Sequence, residues 1–216
     1  FQLANYALRG TVTVTVNKKG TLELSGTDEH RNLFSGGKII LKTDSTVVYY
    51  GNTGKDIWQG AYQNLIVRGP VQAQSLTVNK TLKIERNPPA ENPPIQITAP
   101  VQTYNGGVIV VTNTEFHAAT SVTFTAAANV SAGTRNLSFT GGGAVSMQGV
   151  TAGTVSAAGA SSLTVNGAVT LSGDLKAKNL TVNTATVTAA KIEVSQAATV
   201  RTAATIAAPT QTYSGA

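Results

Sequence analysis

The chain has 216 residues, no cysteine, 12% charged residues and a formal net charge of +6. That length is enough to bury a full core, and the missing cysteines exclude a disulfide framework and thiolate metal sites. The low charge excludes ordinary disorder, which combines low hydrophobicity with high net charge, and no apolar run reaches the ~18 residues of a membrane-spanning helix. Phe1 carries no basic-then-apolar leader before it, so a signal peptide is expected to be absent or already removed.

Residues 1–86 form an N-terminal section holding most of the charge, the single Trp and a long alternating run, Thr11-Val12-Thr13-Val14-Thr15-Val16. Its basic residues, from Arg9 and Lys18 to Lys83 and Arg86, are scattered among Glu23, Asp28, Glu29, Asp44 and Asp56. A nucleic-acid groove needs its charge gathered on one face or helix, so no nucleic-acid partner is expected. Tyr49, Tyr50, Trp58 and Tyr62 crowd together with Lys55 and Gln59. Trp and Tyr are common contact residues, which makes these four the candidate ligand-binding patch. A competing reading is structural, because alternation turns one of Tyr49 and Tyr50 inward and Tyr62 sits two residues before Asn64-Leu65.

Residues 87–96 contain Pro88-Pro89 and Pro93-Pro94 and cannot pair in a ladder, so they read as a protruding loop or joint. A long repeat follows. Ile97-Thr98-Ala99-Pro100-Val101-Gln102-Thr103-Tyr104-Asn105-Gly106 recurs as Ile206-Ala207-Ala208-Pro209-Thr210-Gln211-Thr212-Tyr213-Ser214-Gly215, 109 positions later. Residues 97–205 are thus one long unit and 206–216 start the next. A finer phrase runs within and before it: small polar, Leu, Thr, Val, Asn, as in Ser75–Asn79, Ser162–Asn166 and Asn179–Asn183. Beyond Leu163, apolar β-formers return about every six residues (Val169, Leu175, Leu180, Val187, Ile192, Val200, Ile206).

Strands that short, with no room for helices or hairpin loops, can coil so that each lies on its equivalent one turn later. The fold class is therefore all-β: a parallel β-helix (solenoid) of roughly 17–20 residues and three strands per rung. Ten to twelve rungs would make a rod on the order of 50 Å long, and the long unit would span about six rungs. Asn79, Asn166 and Asn183 are expected to bond up the stack or to take left-handed corners. The Ala-rich stretch 183–208 is expected as strands, because its many Thr, Val and Ile residues disfavour helix. Tandem antiparallel sandwiches are the architectural alternative, although they want turn signals every 8–12 residues.

The phrases Thr46-Val47-Val48-Tyr49-Tyr50-Gly51-Asn52 and Gly60-Ala61-Tyr62-Gln63-Asn64-Leu65-Ile66-Val67 resemble a pattern of large bacterial surface proteins. The Gln-Thr-Tyr-Asn-Gly and Gln-Thr-Tyr-Ser-Gly phrases resemble repeats of filamentous-haemagglutinin-like adhesins and autotransporter passengers. That resemblance implies a right-handed β-helix exported across the outer membrane of a Gram-negative cell, then displayed on its surface or secreted as an adhesin. The implied partners are an extracellular glycan, a matrix protein or a neighbouring cell surface, together with flanking repeats of the same polypeptide, without membrane insertion. The matching positions are structural, so no functional residue carries over.

The chain is poor in catalytic groups. His30 and His117 are its only histidines, and neither has a partner at metal-ligand or triad spacing. Glycoside hydrolysis needs converging carboxylates, yet after residue 100 the acids are Glu115, Asp174 and Glu193. Gly141-Gly142-Gly143 is followed by neither Lys-Ser/Thr nor a helix, and reads as a tight corner. The Thr-x-Thr pairs at Thr11, Thr123 and Thr186 are unevenly spaced, which argues against an ice-binding ladder. No catalytic residue, metal or cofactor is expected. The expected function is a non-catalytic rigid adhesin segment, with a polysaccharide-acting β-helix lyase or hydrolase as the alternative.

Overall fold

A computed structural model describes residues 2–4, 13–25, 38–50, 55–57, 60–86, 93–125, 127–183 and 185–215. The chain winds as a parallel β-helix of about eight turns, with rungs near 19 residues. One middle rung shows the plan. Val101–Tyr104 lies on the first face, Gly107–Val110 on the second and Thr114–His117 on the third, and Ser121–Phe124 then returns to the first. Val101–Tyr104 pairs in parallel with Ser121–Phe124, residue for residue. Gly107–Val110 and Thr114–His117 likewise pair with strands of the next rung.

Alternation sets which side chains enter. On the third face Ile97, Phe116, Phe139, Ala157, Ala177 and Val194 point inward and are almost completely buried, while Gln96, Glu115 and Ser138 point out. Such columns merge into one core cluster running from Val16 to Val194. Ala99 and Ala118 are buried at corners, where nothing larger than a methyl group is asked to fit. Gly141 and Gly142 take φ of +89° and +84°, and a Cβ at Gly143 would stand 2.7 Å from the Ala118 carbonyl oxygen. The triple glycine is a tight corner, as expected, and the stretch after Asn183 forms short strands separated by turns: Thr186–Thr188, Lys191–Val194, Ala198–Val200 and Thr205–Ala207.

Rung length varies because insertions are confined to corners. On the third face the stacking partner of Val71 is Ile97, 26 residues on, and this long step contains the proline-rich segment. Arg86 Nη2 donates to the Pro93 carbonyl at 2.7 Å across the base of that segment. Ile97 then stacks with Phe116 and Phe116 with Phe139, steps of 19 and 23 residues. The coil continues through the joint with no break in its core.

Among the described residues the longest strands are Gly60–Val67 and Leu76–Ile84; the described part of the alternating run ending at Val16 is Thr13–Val16. Each long strand passes from the first face to the second without a break, with a register irregularity between Tyr62 and Asn64. Asn79, Asn166 and Asn183 take the first of their two expected roles, bonding to neighbouring rungs; among the described residues, those other than glycine with positive φ are Lys19 and Asp44. On the second face, parallel pairings link Gln2–Ala4 to Thr205–Ala207 in ten steps, about 48 Å, close to the expected 50 Å.

The 109-residue repeat is also out of phase with the coil. Six turns above Ile97 the third-face column reaches Tyr213, passing Phe116, Phe139, Ala157, Ala177 and Val194. Ile206, the repeat counterpart of Ile97, instead lies on the second face, stacked on Val187. The unit is therefore one strand short of six turns. Its phrase specifies a strand–Ala–Pro–strand corner, and the coil uses that corner at two different edges of the triangle.

Candidate binding surface

The expected aromatic patch is divided by the strand pleat. Tyr49 and Tyr62 point inward and are 1% and 0% exposed. Their rings meet edge-on with centroids 6.1 Å apart, and their hydroxyls are 3.0 Å from each other. Burial, followed by the neighbouring Tyr49, pushes the Tyr62 phenol well above its ordinary range. Both rings are core, so neither offers a ligand platform on the outside. Tyr50 is half-buried, its ring 4.7 Å below the Arg68 guanidinium and its hydroxyl accepting from Arg68 Nη1. Trp58 lies outside the described residues, as do Gln59 and His30.

The outward columns form a different surface. On the first face, Thr77, Thr103, Thr123, Ser146, Thr164, Thr181 and Thr199 occupy one column in seven consecutive rungs. A second polar column runs beside it, two residues on. Asn105 Nδ2 donates to Asn79 Oδ1 at 3.0 Å, Asn166 Nδ2 to Ser146 Oγ at 3.1 Å, and Asn183 Nδ2 to Asn166 Oδ1. Parallel stacking at ~4.8 Å lets the short amides reach one rung up or down. The Thr-x-Thr pairs themselves do not align, since Thr123-Thr125 is on the first face and Thr186-Thr188 on the second. The single column is real, and its uneven steps of 26, 20, 23, 18, 17 and 18 residues hide it from a search for fixed spacing. Its visible trace is the Thr after Leu at Thr77, Thr164 and Thr181.

The outward side of the third face carries charge. Thr140 Oγ1 donates to Glu115 Oε1 at 2.6 Å, Gln96 Nε2 donates to the same oxygen at 3.1 Å, and His117 Nδ1 lies 3.0 Å from Thr140 Oγ1. Further along, Glu193 accepts from Lys191 and from Lys176, the latter at 3.1 Å, and Asp174 lies 4.0 Å from Lys176. Lys176 and Glu193 border an open groove of about 280 Å³ that includes Ala158, Val194 and Thr212. Lys191 and Lys176 hold the Glu193 carboxyl below its ordinary range. Lys83 and Arg68 do the same for Glu85, and Lys80 for Asp44. Comparison with family models, curated proteins and solved structures finds no match. Among the described residues, no group of three or more His, Asp and Glu side chains is arranged to hold a metal ion.

The surface thus offers hydroxyls and amides in straight rows, with ion pairs compensated one rung to the next. A row of this kind can accept and donate hydrogen bonds repeatedly along one direction.

Proposed function

We propose that this chain is a rigid, non-catalytic β-helical segment of a large bacterial surface adhesin of the filamentous-haemagglutinin-like or autotransporter-passenger type. In this reading the coil is right-handed, in line with the strong preference of parallel β crossovers for that hand. The segment is displayed on, or released from, the outer membrane of a Gram-negative cell. It faces an extracellular glycan, a matrix protein or a neighbouring cell surface.

The observation that carries the reading is the hydroxyl column on the first face, backed by a core that runs unbroken from rung to rung. A rod with a straight, uncharged polar row suits repeated weak contacts along an extended ligand. The polysaccharide-acting enzyme is weakened as an alternative by the lowered pKa values of Asp44, Glu85 and Glu193, each held by cations. A glycan and matrix-protein binding screen tests the proposal with Thr123→Lys/Thr164→Lys and Tyr50→Ala variants. Binding that disappears in the double variant and survives Tyr50→Ala is the expected result. Turnover of any polysaccharide by the folded chain would refute the non-catalytic part.

A further inference from the structure

The hydroxyl row on the first face has a period, and the period selects a ligand. Six of its members, Thr77, Thr103, Thr123, Ser146, Thr164 and Thr181, lie on consecutive rungs with a further strand paired on either side. Their five steps at ~4.8 Å make a straight row of about 24 Å. The strands that carry it, from 76–79 and Val101–Tyr104 up to Leu180–Val182, contain no charged residue. The charge of this half of the coil stands on the third face instead, at Glu115, His117, Asp174, Lys176, Lys191 and Glu193.

The neighbouring amides are largely engaged with each other and with Ser146 Oγ. The five threonine hydroxyls, by contrast, make no hydrogen bond to another described residue. Each can therefore give one bond and accept another from outside. On the second face Ser131, Thr151, Thr170 and Thr188 form a shorter row, on four consecutive rungs.

We propose that the first face binds a neutral, extended, equatorially linked polysaccharide lying along the rod axis, one sugar to a rung. This deepens the adhesin reading above and rests on it. Side chains on one side of an extended peptide recur every ~6.6–6.8 Å, so a matrix-protein strand laid on the row falls out of step by its second contact. Anionic polymers, nucleic acids among them, draw their affinity from Lys and Arg, which these strands lack. An extended chain of equatorially linked sugars advances by close to one rung per unit and offers hydroxyls at every step. Single bonds of this kind are weak in water, and linking them in one chain makes affinity grow with length.

The test titrates β-1,4-linked glucose and mannose oligomers of two to six units into the chain, read by calorimetry and amide NMR shifts. Affinity should rise at least about twofold with each added sugar, and the shifted amides should lie on successive first-face rungs. Curled α-1,4-linked glucose oligomers should show no such rise. Thr123→Val with Thr164→Val, which removes two hydroxyls at nearly constant volume, should weaken hexamer binding at least about tenfold. Thr151→Val with Thr170→Val on the second face should leave it unchanged. Absence of binding, affinity independent of length, or equal loss from the two valine pairs would overturn the proposal. Capture of a matrix protein that Thr123→Lys/Thr164→Lys abolishes, with no oligomer bound, would overturn the ligand class and leave the adhesin reading standing. Absence of both kinds of binding would bring down the two together.

Discussion

Replacing Phe116 by alanine should open a gap where three rungs meet. The ring is fully buried. It stacks on Phe139 with centroids 5.3 Å apart and meets Tyr104 and Phe124 edge-on at 5.7 and 5.8 Å. A buried Phe→Ala substitution costs about 3–5 kcal/mol, and with three aromatic partners this site belongs at the upper end, about 4–5 kcal/mol. Domains are stable by only about 5–15 kcal/mol, so the loss is a large share of the total. In a stacked coil each rung touches only its neighbours, so the damage should also be local. Urea unfolding followed by circular dichroism gives the overall cost. Native-state hydrogen exchange should show amides of Ile95–Thr98 and Leu137–Thr140 losing more protection than those of Asp174–Ala177. Phe116→Leu, which keeps much of the volume, should cost less than half as much. A cost below about 2 kcal/mol, or protection lost evenly from end to end, would refute the idea that each rung is held by its immediate neighbours.

Four further outcomes follow from the same packing and electrostatics. Gly143→Ala should cost about 1–3 kcal/mol, since its Cβ meets the Ala118 carbonyl oxygen at 2.7 Å, whereas Gly107→Ala, with open space around it, should change urea stability by less than about 0.5 kcal/mol. Lys83 and Arg68 depress the Glu85 pKa, so their stabilisation is present above the ordinary value of 4.5 and fades as pH falls through the lowered one. Lys83→Met with Arg68→Gln should therefore flatten the acid limb of a stability–pH curve, by less than about 1 kcal/mol. Burial raises the Tyr104 and Tyr62 phenols well above 10. Stability from keeping them neutral is full below pH 10 and lost as pH rises beyond it, and ultraviolet titration should find both ionising only as the coil unfolds. Lastly, Thr164→Lys should leave urea stability within about 0.5 kcal/mol, because the side chain stands on the outer face.

Much of the coil was legible because its signal is local. Short β-branched segments broken every few residues admit few folds, and the Leu-Thr-Val phrases at Leu163 and Leu180 lie in one register as their spacing of 17 suggested. The long repeat was legible as text but not as phase, since a phrase that encodes a corner does not say which corner. The surface was harder to read. Tyr49 and Tyr50 differ in direction only through the pleat, and Tyr62 is inward together with Leu65, three residues on, because the strand changes face with a register irregularity between Tyr62 and Asn64. The hydroxyl column depends on register across corners of unequal length, which no fixed spacing reveals. The Asn residues stack without left-handed backbone because their amides find partners on adjacent rungs.

The missing strand in each 109-residue period has a geometric consequence for any array assembled head to tail from this unit. Every successive copy would begin one side of the prism earlier than the last. Features written identically in the text would then trace a slow spiral around the shaft, returning to their starting side at the fourth copy. A filament of this design would show the same decoration in every direction while each individual coil kept three unlike sides.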